Sequence, residues 1–90
     1  MGISKEDLRM DALNLICNAA QQSALGAARD RFGPQANAVD EYEHSIREIM
    51  NWSGITVDDA RQALDGFEAP NVNDVLKALT RIELELKKQP

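Results

Sequence analysis

Very few side chains in this chain are suited to catalysis. The only histidine is His44 and the only cysteine is Cys17. A nucleophile needs a base within hydrogen-bond reach, and that base needs a third group to orient it. Asp40 stands four residues before His44, one helical turn away. Asp–His pairs at that spacing are ordinary surface electrostatics, so the pair carries no catalytic expectation. Cys17 falls within an apolar stripe, where a free cysteine behaves as a small buried hydrophobe rather than a reactive thiol.

The ligand inventory is equally thin. One Cys and one His do not supply the three or four ligands of a zinc site. The segment "DGFEAPNVND", residues 65–74, lacks the D-x-D/N-x-D/N-G run and the terminal Glu of a calcium loop. Gly26, Gly33, Gly54 and Gly66 are scattered as breakers, so no glycine-rich phosphate loop is present. Size and acidity invite comparison with acyl carrier proteins. Ser45, however, lies mid-helix in "EHSIRE", without an Asp-Ser-Leu-type attachment site at a helix start. The expectation is a non-enzymatic protein with no catalytic residue, no metal site and no cofactor.

The side chains that remain are charges. Fifteen Asp and Glu oppose ten Lys and Arg, a formal net charge of −5. Residues 30–74 hold ten acidic and three basic groups (Arg31, Arg47 and Arg61), a local balance of −7, which leaves the two ends slightly basic. An acidic middle repels phosphates and steers towards basic partners. The candidate acidic surface is Asp40, Glu41, Glu43, Glu48, Asp58, Asp59, Asp65 and Glu68. The alternative is that these acids simply solvate exposed helix faces.

The elements that must present these groups are helical. Ninety residues, 43 % of them hydrophobic and 28 % charged, describe one globular domain with a modest core and no room for a deep cleft. Four aromatics (Phe32, Tyr42, Trp52 and Phe67) leave that core to Leu, Ile, Val, Ala and Met. A first segment opens at Ser4 with Asp7 three residues on, a capping-box-like pattern, and runs to about Arg31 before "FGP". Its stripes are Met10, Leu13, Cys17, Ala20, Ala24 and Ala27, and Leu8, Ala12, Leu15 and Ala19. It is therefore apolar over most of its circumference, with a slight break expected near Gly26.

A second helix is expected over about Gln35–Trp52, facing the core with Val39, Tyr42, Ile46, Ile49 and Met50. Asp40, Glu41, Glu43, Arg47 and Glu48 lie mainly on its other faces. A third, capped by Thr56, stops near Gly66 and buries Val57, Ala60, Leu64 and Phe67. A fourth runs from a cap at Asn71 or Asn73 to about Lys87, with an apolar stripe of Val72, Val75, Leu76, Leu79, Ile82 and Leu86. No segment alternates as a strand does. The expected fold is all-α: a small four-helix bundle-like domain, with a long N-terminal helical hairpin and a shorter C-terminal helix pair.

Two functions compete for this layout. The helices within 56–88 have the gross order of a helix-turn-helix DNA-binding regulator, with Lys77, Arg81 and Lys88 along one line of the last helix. Against it stand Asn71, Asn73 and Asp74 at the end that would meet bases, acids on the preceding helix, and a turn longer than 3–4 residues. The favoured expectation is a protein-binding module, an inhibitor, adaptor or regulator that targets a basic surface of a nucleic-acid-processing protein. Immunity proteins and phage-encoded inhibitors work in this way, and the comparison is of class, without a motif. Leu84 lies among Lys77, Arg81 and Lys88 and off the core stripe, a candidate anchor for a partner. The two-sided first segment suggests a homodimer. One cysteine, no apolar leader and no run of about 20 apolar residues favour a soluble, cytoplasmic protein without a membrane partner.

Overall fold

The structure, a computed structural model, describes residues 4–88. They form five α-helices: α1 (Lys5–Ala19), α2 (Leu25–Phe32), α3 (Ala38–Ser53), α4 (Val57–Leu64) and α5 (Val72–Lys88). No strand occurs among the described residues, so the all-α class stands. The expected count of four becomes five because the first segment divides in two.

The division lies at residues 20–24, before Gly26 and not at it. Ordinary helix propensity would carry "NAAQQSALG" straight through, but its carbonyls are claimed from elsewhere. The Asn71 backbone N–H donates to the Ala20 carbonyl at 2.9 Å, and the Tyr42 hydroxyl donates to the Gln22 carbonyl. In an unbroken helix those two acceptors would serve residues 24 and 26. The chain instead tightens, with Gln21 and Gln22 N–H donating to Asn18 and Ala19 carbonyls, and restarts as α2 without a side-chain cap.

Elsewhere the boundaries follow local chemistry. Ser4 caps α1 by accepting from the Asp7 N–H. α3 begins at Ala38, later than the expected Gln35, because Asn37 and Asp40 form a reciprocal capping box. Gly54, at φ +77°, ends α3 in the left-handed conformation that glycine adopts without strain. Thr56 and Asp59 form a second capping box at the start of α4.

The most extensive packing is between α3 and α5; α1 rests on α3 and α4, α4 on α5, and α2 on α3. Ile16, Ile46, Val75, Leu79 and Ile82 are the largest fully buried side chains. Each contributes about 1.5–3 kcal/mol by leaving water. Ala12, Ala20, Ala60 and Ala78 are fully buried beside them, and small residues there let the helices approach closely.

Three core assignments change. Ile16 is the centre of the α1 face, while Met10 and Leu15 are exposed on its flanks. Leu86 holds the angular position of the α5 stripe but is 47 % exposed, because it lies towards the end of α5 beyond the closed part of the core. Glu41, expected on an outer face of α3, is only 6 % exposed.

Candidate functional site

Among the described residues, the side chains considered for catalysis are not brought together. His44 does not meet Asp40; its Nε2 lies 3.4 Å from Glu48 Oε1, and its ring stands edge-on to Phe32 with centroids 6.0 Å apart. Asp40 turns instead to Arg81, Oδ1 to Nη1 at 2.8 Å. The Cys17 thiol faces the Ala63 carbonyl across the α1–α4 contact, and burial pushes its pKa up, away from thiolate chemistry. Among the described residues, no group of three or more His, Cys, Asp or Glu side chains is placed to hold a metal ion.

The eight expected surface acids separate into two kinds. Asp40, Glu41 and Asp59 are built into the fold. Glu41 takes the Arg31 Nε on both carboxylate oxygens, at 2.9 and 3.1 Å, which ties α2 to α3. Asp40 receives the Asn37 backbone N–H and Arg81; Asp59 receives the Thr56 backbone N–H and Arg9 at 3.3 Å. Those backbone hydrogen bonds are the largest influence holding the two aspartates below the usual carboxylate range.

The other five remain towards solvent. Glu43 and Glu48 on α3 pair along their own helix with Arg47 and His44. Asp58, Asp65 and Glu68 have no ion-pair partner among the described residues and are exposed. Asp58 lies in the first turn of α4, Asp65 caps its C-terminal end in an extended conformation, and Glu68 follows in the connection to α5. α3 packs mainly on α5 and α2, and α4 on α5 and α1.

The basic line on α5 is likewise divided. Arg81 is committed to Asp40, and Lys88 lies 3.9 Å from Glu85. Lys77 has no ion-pair partner among the described residues, and Leu84 is 53 % exposed beside that line, as its register requires. On the neighbouring helix, Arg61 is held by Glu83 at 2.8 Å and reaches Thr80. That ion pair is the main reason Glu83 titrates below its usual range.

Sequence reasoning missed the apolar surface at the far end of α5. Met50, Ile55 and Leu86 line two adjoining hollows of about 380 and 350 Å³. One opens towards Val57, Asp58, Glu83 and Lys87, the other towards Arg47, Asn51, Gly54 and Ile82. The available signal was the position of Leu86, late in a helix whose neighbours end earlier.

No protein-family model matches the chain, and neither a curated protein nor a solved structure does. No helix among the described residues is long and apolar enough to cross a membrane.

Proposed function

We propose that this chain is a non-enzymatic, cytoplasmic protein-binding module, an inhibitor, adaptor or regulator that engages a basic surface of its partner. One observation supports this best: the arginines are spent inside the fold while carboxylates are left over. Arg9, Arg31, Arg47, Arg61 and Arg81, five of the six arginines, each pair with an Asp or Glu of the same chain. Asp58, Asp65 and Glu68 are left facing solvent at the start of α4 and just beyond its end, without an ion-pair partner among the described residues. Complementary charge of this kind speeds encounter and selects partners more than it adds raw affinity. A basic groove on a nucleic-acid-processing protein is the partner class this chemistry suits.

The test compares the wild-type chain with Asp65→Lys/Glu68→Lys as baits in extract of the source cell. Proteins held by the wild type at low salt should be released as ionic strength rises and should be absent from the variant. Identical retention by both baits would remove the α4 surface as the binding site.

A further inference from the structure

We infer that residues 20–24 are a hinge at which α1 and α2 join into one straight helix, and that two copies of the chain then exchange their α1 helices. The junction lacks the stop and start signals found elsewhere in the chain. α1 ends at Ala20 with no basic residue in its last turn. α2 follows Ala24 with neither a side-chain cap nor an acidic residue in its first turn. By contrast, Gly54 ends α3, and capping boxes open α3 and α4. Residues 20–24 read Ala-Gln-Gln-Ser-Ala, without Gly or Pro, and a helix carries all of them readily. With eight residues, α2 is far below the length at which a helix is stable alone, and fusion with α1 removes that weakness.

The bend is held by the Asn71 N–H on the Ala20 carbonyl and the Tyr42 hydroxyl on the Gln22 carbonyl. Straightening replaces both donors with the Ala24 and Gly26 N–H groups of the continuing helix. Gln21, Gln22 and Ser23 are exposed, and a hollow of about 220 Å³ lies between the hinge, α2 and α3, so the bend itself is loosely packed. The chain thus has two bodies. α2 stays with α3, tied by Arg31 and Glu41, while α1 rests on α3 and α4. The occupant of the α1 seat is on view: Ala12 and Ile16 are buried there, Arg9 pairs with Asp59, and the Cys17 thiol meets the Ala63 carbonyl. An α1 from a second copy makes the same contacts, so the hinge and the cost of association set the balance. That is a reciprocal domain swap.

The exchange does not rest on the proposed partner surface, and its test leaves Asp58, Asp65 and Glu68 intact. Gln22→Ala/Ser23→Ala favours the straight helix, and Gln22→Gly/Ser23→Gly opposes it; both side chains are exposed, so the core is untouched. Sedimentation equilibrium from about 1 μM to about 1 mM should give a dimer dissociation constant at least about tenfold lower for the alanine variant. Circular dichroism checks that both are folded. Exchange is read directly by mixing, in the alanine background, a chain whose only thiol is Cys17 with a Cys17→Ser/Ala63→Cys chain, then oxidising. Because the Cys17 thiol lies 3.8 Å from the Ala63 carbonyl, a disulfide should link the two chains where α1 of one rests on α4 of the other. The dilute Ala63→Cys chain, which closes the same bridge internally, verifies the reach. A linked pair that the glycine background lacks supports the exchange. An alanine variant that stays monomeric to about 1 mM overturns it, as does a dimer of equal strength in both hinge variants or one that yields no link between the mixed chains.

Discussion

Asp59 shows how one residue can look like free surface charge and yet be structural. It closes the α4 capping box with Thr56 and also receives Arg9 from α1, joining two helices fifty positions apart in sequence. Its pKa is lowered first by the Thr56 backbone N–H, then by the Thr56 hydroxyl and Arg9, against the opposing effect of desolvation. Asp40 is lowered first by Asn37 and then by Arg81, and Glu83 first by Arg61. A carboxylate whose folded pKa is depressed adds stability above its unfolded pKa, about 4, and loses it as pH falls through the folded value. Stability should therefore be level around neutrality and fall below about pH 4. Asp59→Asn should cost about 0.5–1 kcal/mol at pH 7, the lower part of the range for a lost cap because the site is partly wetted, and should shallow the acid slope. Urea titrations at pH 7 and pH 3 check both, and equal slopes for the two proteins would contradict the assignment.

Among the elements, α2 departs most from what local propensity implies. Its separation from α1 rests on donors that arrive from α3 and from the turn before α5, at Tyr42 and Asn71. Its hold on the body comes through α3, by the Arg31–Glu41 pair, the Phe32–His44 ring contact and the fully buried Ala28. Tyr42→Phe keeps the buried ring and removes the donor to the Gln22 carbonyl. It should destabilise the chain by about 1 kcal/mol and speed amide exchange in residues 24–28 more than in α5. Unchanged exchange there would mean that the Tyr42 hydroxyl does not hold the break. The caps tell the opposite story: Ser4, Thr56 and Gly54 act where their types and spacing place them, since capping involves groups three or four residues apart.

At the scale of the whole molecule, the net charge of −5 matters less than which charges are already answered. The α5 line that suggested a DNA reader has lost Arg81 to Asp40 and has Lys88 beside Glu85, so few cations remain to neutralise phosphates. The span between α4 and α5, residues 65–71, is also longer than the turn of a simple helix-turn-helix. The full chain should leave the mobility of a random DNA duplex unchanged at low salt, where phosphate binding is strongest. Micromolar binding that Lys77→Glu abolishes would restore the DNA-reading alternative. Periodicity and punctuation were enough to establish the helical class, most caps and the buried faces of α3, α4 and α5, because each depends on neighbours within a turn or two. The break after Ala19, the burial of Glu41, the exposure of Leu86 and the capture of Arg81 by Asp40 were decided in the tertiary structure. Each depends on a group 10 to 51 residues away, or on where a neighbouring helix stops, and no local pattern encodes such a distance.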